Sequence, residues 1–276
     1  MALGCLNAAS AYAAGTLAAA RDVPGALTFY RRGCVLGNAK ACLSLGTYYQ
    51  QGIELGVDLE RAAQLYAQSC DEGLLLGCYN LGTLLDPRAG RVLRTDQARA
   101  AELYAASCGA EVPQACANLG VLHENGLGVP LDLPRAVTLF AEACAGGNLI
   151  GCVNEGNMYV RGAGAARDYD RAEPLFRRAC DGGEVNGCRN LARLDFSRAG
   201  GTPQDGAAAL RAVETACAGG KAWSCYGAAL TVEGGVGGVK VDRARALQLY
   251  VKACKGVPRA CPEATRLEKK IEKKKK

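Results

Sequence analysis

The sequence predicts an all-α fold: an α-α superhelix, or solenoid, of about seven helix-turn-helix repeats followed by a C-terminal capping helix. The first observation is a series of cysteine pairs whose first members lie 36 to 38 residues apart, a period typical of stacked repeats. The members of a pair are eight residues apart, or seven in the last pair. The pairs are Cys34/Cys42, Cys70/Cys78, Cys108/Cys116, Cys144/Cys152, Cys180/Cys188, Cys217/Cys225 and Cys254/Cys261.

The second observation is a helical pattern before each pair. An aspartate stands twelve residues before the first cysteine, where it can cap a helix N-terminus. Alanine stands eight residues before that cysteine and a large, usually aromatic residue four before it, so both share one buried helix face. The aspartates are Asp22, Asp58, Asp96, Asp132, Asp168, Asp205 and Asp242.

The third observation is a second helix that begins near the second cysteine of each pair. Four residues after that cysteine stands a small residue, at Gly46, Gly82, Gly120, Gly156, Ala192 and Ala229. Glycine inside a helix is costly, which favours close approach of a neighbouring helix. The predicted helices lie near 2–14, 22–36, 39–51, 58–72, 75–86, 96–110, 113–125, 132–146, 149–161, 168–182, 185–197, 205–219, 222–233 and 242–255. We assign residues 1–258 to the repeats, the first of them incomplete, and 259–276 to the capping helix and a Lys-rich tail.

Fifteen cysteines, fourteen of them in regular pairs, indicate a disulfide framework in an oxidising compartment. Two antiparallel helices can bring the cysteines of each pair within bonding distance, so we expect seven disulfides. Buried free thiols in a cytosolic protein are the alternative. A metal site has little support, because there is no C-x-x-C motif and His123 is the only histidine. We expect no metal and no cofactor.

The net charge of +6 is concentrated at the C-terminal end, where residues 266–276 carry a net +5. The rest is nearly neutral, so we expect no nucleic-acid partner. No apolar run approaches the length of a transmembrane helix. The Ala-rich start is in register with the repeats, and Cys5 would be the second member of a pair. We therefore expect the natural chain to begin upstream of Met1, with any export signal outside this sequence.

Segments such as GCYNLGTLL from Gly77 and ACANLGVLHENGLGVPLDLPRAVTLFAEAC from Ala115 resemble the Sel1-like repeat, a tetratricopeptide-like helix pair. With one cysteine pair per unit, the chain is most similar to the cysteine-rich subgroup, which includes the secreted Helicobacter cysteine-rich proteins and, more distantly, a mitochondrial intermembrane-space assembly factor. The resemblance implies a right-handed superhelix whose first helices line a concave groove. It also implies peptide or protein binding and, in some members, penicillin binding with weak β-lactamase activity. We accordingly expect a monomer that is periplasmic or secreted, with the mitochondrial intermembrane space as the alternative.

The residues offer little machinery for hydrolysis. No serine is followed by lysine at the third position, no G-x-S-x-G motif is present, and one histidine is too few for a zinc hydrolase. His123 stands where other repeats have tyrosine, which predicts a packing role. We therefore expect a binding scaffold, with a penicillin-binding protein of weak β-lactamase activity as the alternative.

The best candidate for a binding feature is a polar residue two positions after the second cysteine. Repeated once per unit, such residues would form a ladder whose amides donate to and accept from an extended peptide backbone. The alternative is a structural role, in which each amide bonds to the neighbouring repeat. The ladder consists of Asn7, Ser44, Asn80, Asn118, Asn154 and Asn190.

Overall fold

The computed structural model describes residues 22–90, 93–109, 111–198, 206–235 and 238–273, without the side chains of 192, 195–198, 206–209 and 212. Within these ranges the chain forms fourteen α-helices and no strands, which confirms the predicted all-α repeat fold. The predicted helix 2–14, with Cys5 and Asn7, lies outside the described residues, as does Asp205. The helices are α1 Val23–Val35, α2 Ala39–Gln51, α3 Leu59–Asp71, α4 Leu75–Leu85, α5 Gln97–Ser107, α6 Pro113–Asn125, α7 Leu133–Ala145, α8 Leu149–Arg161, α9 Tyr169–Asp181, α10 Val185–Arg198, α11 Gly206–Ala218, α12 Ala222–Gly234, α13 Arg243–Cys254 and α14 Ala260–Glu272.

The aspartates that precede the helices leading to the first cysteine of each pair are N-caps, as the sequence predicts. Their carboxylates accept backbone N–H bonds of 2.9 to 3.0 Å from the first helical turn, which satisfies donors that the helix itself leaves unpaired. The caps that the structure describes are Asp22, Asp58, Asp96, Asp132, Asp168 and Asp242.

The cysteine pairs join the end of one helix to the start of the next. Their Cα atoms lie 4.5 to 4.9 Å apart, within the range that a disulfide requires. The bonded pairs include Cys34–Cys42, Cys70–Cys78, Cys108–Cys116, Cys180–Cys188, Cys217–Cys225 and Cys254–Cys261, and Cys144 and Cys152 are disulfide-bonded as well.

The chain divides into two compact units, residues 1–147 and 148–276. In the first unit, α1 to α6 each pack against the next helix along the chain, ending with α6 on α7, and α2 also contacts α4. In the second unit, α8 to α14 pack in the same consecutive manner, and α10 contacts both α8 and α12. Each unit is therefore a stack of helix pairs in which a repeat packs mainly on its neighbours.

Small residues and buried rings form contacts between consecutive helices that no disulfide joins. A Cβ atom placed on Gly82 would lie 2.9 Å from Cε1 of Tyr104, and one on Gly120 would lie 2.7 Å from Cε1 of Phe140. Both rings are fully buried. The small residue therefore provides the space into which the ring of the following helix inserts.

The last helix closes the second unit with one apolar face and one charged face. Leu267 of α14 is fully buried in the cluster that contains Tyr250 and Val257. Arg266 donates to Glu233 of α12 at 2.8 and 2.9 Å. Among the helices described, none is long and apolar enough to cross a membrane.

Candidate binding pocket

A polar pocket of about 380 Å³ opens on the first unit, on the side formed by helices that follow the second cysteines. It brings together two residues of the predicted ladder, Asn80 of α4 and Asn118 of α6. Both residues are half-buried. The other lining residues are Gln50, Tyr79, Thr83, Asp86, Arg88 and Ala89.

The two amides lie beside buried tyrosine hydroxyls. Burial raises the pKa of Tyr66, and a hydrogen bond from Asn80 partly offsets that rise. Burial and the charge of Asp86 raise the pKa of Tyr104 further, against the opposing hydrogen bond of Asn118. The hydroxyls are therefore neutral at physiological pH, and their contacts hold the amides at the pocket wall.

Asp86 and Arg88 form the charged part of the pocket. The Asp86 side chain is 1% exposed, and Arg88 binds it with a two-pronged contact: Nε lies 2.9 Å from Oδ1, and Nη2 lies 2.6 Å from Oδ2. The Arg88 backbone N–H also donates to Oδ1 at 3.1 Å, and the Tyr104 hydroxyl donates to Oδ2 at 3.3 Å. Arg88 belongs to a short 3₁₀ helix, Pro87–Ala89, within the turn that carries the two-residue insertion. Planar paired bonds of this kind hold both groups in a defined orientation.

Sequence reasoning missed the acceptors that bind the buried tyrosine hydroxyls. Each acceptor stands eight residues after a second cysteine, and the ring belongs to the next helix. The sequence carries part of this signal. Phe176 has no hydroxyl, and the acceptor position before it holds the apolar Val160. Phe140 is the exception, because the position before it holds Glu124. The pairs are Gln50 with Tyr66 at 2.7 Å, Asp86 with Tyr104 at 3.3 Å and Glu233 with Tyr250 at 2.8 Å.

The remaining ladder residues do not share this pocket. Ser44 is half-buried in α2, and Asn154 is half-buried in α8 of the second unit. Asn190 of α10 donates its amide to the side-chain oxygen of Asn157 in α8, at 2.8 Å. At that position the amide links adjacent repeats, the structural role that sequence reasoning left open.

Possible hydrolytic residues have local packing partners. The buried Ser69 hydroxyl donates to the Ala39 carbonyl at 2.9 Å, and the buried Ser107 hydroxyl donates to the Leu103 carbonyl at 2.7 Å. Nδ1 of His123 lies 3.3 Å from the Pro130 carbonyl oxygen. These contacts hold turns and helices in place and form no nucleophile–base pair.

The tyrosines at the position of His123 interact with arginines of the following helix. Arg61 stacks over the Tyr49 ring at 5.5 Å, and Arg171 stacks over the Tyr159 ring at 5.6 Å. Although partial burial opposes it, the charge and hydrogen bonds of Arg31 and Arg61 lower the pKa of Tyr49. Aromatic–arginine contacts of this kind pack one helix on the next, and His123 replaces the ring and contacts the Pro130 carbonyl oxygen.

One group of side chains has the composition of a metal site. The ligand atoms of Cys108, Cys116 and Glu142 lie within 4.8 Å of one another. Because the two sulfurs are joined in a disulfide, they offer no thiolate ligands. The residues that the structure describes therefore provide no thiolate metal centre at this place.

Comparisons with known proteins agree with the repeat architecture. The chain is similar in fold to c5321, a protective antigen with an SLR fold from uropathogenic Escherichia coli, with a TM-score of 0.68 and 21% identity over 98% of this chain and 57% of that one. The chain thus spans a little over half of that protein. It is also similar to a Sel1 repeat protein from Oxalobacter formigenes, with a TM-score of 0.63 and 21% identity over 70% of this chain and 75% of that one.

The search of curated proteins finds no match. The Sel1 repeat family model matches residues 39–74, 75–109, 113–148, 151–184 and 224–256, which together make up more than half of the chain. Each match spans a helix that follows a second cysteine and the Asp-capped helix after it. The chain belongs to the Sel1 repeat family.

Proposed function

We propose that this protein is a disulfide-stapled repeat scaffold that binds a peptide or protein segment along the helices that follow the second cysteines. The observation that carries the proposal is the pocket on the first unit, where Asn80 and Asn118 border one open space. An asparagine amide both donates and accepts hydrogen bonds, so it can pair with a peptide backbone whatever the peptide's side chains. Membership of the repeat family supports a role in protein interaction.

A random peptide library displayed on phage, screened with the non-reduced protein, tests this function. We expect bound peptides whose affinity falls when Asn80, Asn118 and Asn154 are replaced by alanine, while the helical circular dichroism stays unchanged. Asn125→Ala is the matched control, because its amide donates to the Val121 carbonyl at 2.8 Å on an exposed surface. Affinity unchanged in the triple variant would contradict the amide ladder.

We also propose an extracytoplasmic location, either periplasmic or secreted, with the mitochondrial intermembrane space as the alternative. The support is the set of disulfides along the repeats, which persist in oxidising compartments. Thiol alkylation of protein taken from its native cells, followed by mass spectrometry, tests this. We expect the paired cysteines to resist alkylation until the protein is reduced; alkylation of all of them beforehand would contradict the proposed location.

Penicillin binding with weak β-lactamase activity is the alternative that the family resemblance raises. No contact in the described part of the chain favours it, since Ser69, Ser107 and His123 have packing partners. A nitrocefin assay on the pure protein tests it. Turnover that one serine or histidine substitution abolishes would replace the scaffold proposal with an enzymatic one.

A further inference from the structure

We propose that a basic surface on the second unit docks on an anionic phospholipid membrane. Two of its residues lie at the start of α13 and two at the end of α14. This partner is independent of the peptide-binding pocket, which belongs to the first unit. The basic surface consists of Lys240, Arg243, Lys270 and Lys273.

An open concavity of about 620 Å³ forms the centre of this surface. Lys240, Arg243 and Lys270 line it together with Arg245, and Asp242 is the one carboxylate among its described lining residues. Asp242 is also the N-cap of α13, where its Oδ1 accepts the Arg245 backbone N–H at 3.0 Å. The concavity therefore presents more positive than negative side chains.

Three of these cations have no ion-pair partner in the described part of the chain. Arg245 bonds to Glu214, which balances its charge. Lys240, Arg243 and Lys270 make no such pair with any described residue. Their charge is therefore available to an external anion.

The glutamates near Lys270 are bonded to another cation. Both oxygens of Glu233 accept from Arg266, at 2.8 and 2.9 Å, and Oε2 also accepts from the Tyr250 hydroxyl. Glu263 bonds to the same arginine at 2.6 Å. Lys270 lowers the pKa of Glu233 through its charge but forms no ion pair with it.

The excess positive charge of the whole chain is concentrated at this end. Residues 239–245 carry a net charge of +2, and residues 266–276 carry +5. Subtracting the three glutamates bonded to these segments, Glu214, Glu233 and Glu263, leaves a net +4. The local surplus thus persists after every described counter-charge is counted.

The charges of α14 are separated by side. Lys270 and Lys273 are three residues apart and therefore share one side of the helix, which borders the concavity. Glu268 and Glu272 are four apart and share a different side, and neither lines the concavity. Because Leu267 is fully buried, α14 is fixed on the unit with its lysine side held toward the concavity.

The form of the surface favours a membrane over one small anion. Lys240, Arg243 and Lys270 have no side-chain hydrogen bond to a described residue, so fixed donors do not outline a single ligand. Unfixed cations around a broad opening suit the many phosphates of a lipid surface. Val241, which is 47% exposed between two of these cations, can enter the headgroup region. The described lining includes no aromatic ring for stacking nucleobases.

Co-sedimentation of the non-reduced full chain with lipid vesicles tests the proposal. One set contains phosphatidylcholine and phosphatidylglycerol in equal parts, and the other contains phosphatidylcholine alone. We expect binding to the anionic vesicles only. Binding should be lost at about 1 M salt, where the Debye length falls to about 3 Å.

Neutral substitutions then locate the contact. A basic side chain near an anionic membrane strengthens binding roughly fivefold, so the combined variant Lys240→Gln, Arg243→Gln and Lys270→Gln should bind about a hundredfold more weakly. The matched control removes three exposed cations of the first unit and should bind as the parent does. It combines Arg32→Gln, Lys40→Gln and Arg135→Gln.

Circular dichroism checks that both combined variants keep their helices. If the first one loses helicity, Lys240→Gln alone replaces it, because Lys240 is exposed and lies outside the helices. We expect that single variant to bind about fivefold more weakly.

Each result supports or overturns the membrane contact. Equal binding to both vesicle types overturns it, as does an equal loss in the two combined variants. Release by inorganic phosphate beyond that by sodium chloride of equal ionic strength would assign a site for a single phosphate instead. Binding of polyglutamate without binding of anionic vesicles would assign an acidic protein. No peptide ligand is present in these assays, so the phage library tests the peptide-binding function separately.

Discussion

The contact between Gly120 and Phe140 offers a quantitative test of how the two helices of a repeat pack. Replacing Gly120 with alanine places a methyl group 2.7 Å from Cε1, 2.8 Å from Cδ1 and 3.2 Å from Cζ of the ring. Favourable carbon–carbon contacts lie at about 3.5 to 4.0 Å, so the overlap is roughly 0.8 Å. Phe140 is fully buried and has no solvent-facing side toward which it could move.

Two opposing terms determine the size of the effect. Overpacking of a well-packed site costs about 1 to 3 kcal/mol. Alanine gains about 1 kcal/mol over glycine inside a helix. We therefore expect Gly120→Ala to lower the free energy of unfolding by about 1 kcal/mol, although helix propensity alone predicts stabilisation.

Denaturant unfolding followed by circular dichroism measures this change, and amide hydrogen exchange in α6 and α7 locates it. Gly109→Ala is the control, because no atom other than those of the residue itself and its two chain neighbours lies within 4 Å of the added methyl. A double-mutant cycle with Phe140→Leu isolates the contact, since the smaller side chain should make Gly120→Ala neutral or stabilising. A Gly120→Ala protein as stable as the parent, or an equal cost in both backgrounds, would refute the reasoning.

Three further predictions concern a disulfide, a helix N-cap and the ion pair that holds the last helix. Replacing Cys70 and Cys78 together with serine should lower stability by about 2.5 kcal/mol, the chain-entropy value for so short a loop, and a denaturation midpoint equal to that of the parent would contradict it. Asp58→Ala should cost about 1 kcal/mol by removing the N-cap bond, with Asp58→Asn as a control that retains it. Burial opposes ionisation of Glu233, but its bonds with Arg266 and Tyr250 lower its pKa below the usual 4.5. The ionised Glu233 therefore stabilises the folded protein fully above pH 4.5, and this contribution is lost as the pH falls through the lower pKa of the folded state. Thermal unfolding between pH 7 and pH 3 measures this, and Glu233→Gln should flatten the decline; an unchanged slope would contradict it.

Periodicity and local chemistry made the helices predictable. Each capping aspartate, such as Asp132, satisfies free N–H groups in its own helix, and each ending glycine, such as Gly147 with a φ of 93°, lies a few residues from the cysteine that marks it. These interactions are local, so the sequence determines them without knowledge of the packing. The predicted ends accordingly agree with the observed ones within about one to three residues.

The binding pocket was predictable only in part. The ladder was inferred from residues at one repeated position, and two of its members, Asn80 and Asn118, do line the same pocket. Asn190 instead bonds to Asn157, because a neighbouring amide lies within reach across adjacent helices. Spacing along one helix cannot distinguish these outcomes, since each depends on what the next repeat presents.

The sequence by itself determined the all-helical repeat, the positions of the helices between residues 22 and 273 that the structure describes, and the cysteine pairs, because all of these follow from a period and from contacts between residues close in the chain. The tertiary structure decided which residues of the ladder share a pocket. It also placed Arg88, in a connection that the repeat pattern leaves irregular, beside a buried carboxylate held by a tyrosine of the next helix. That arrangement depends on the packing of α4 against α5, which no spacing within one helix encodes.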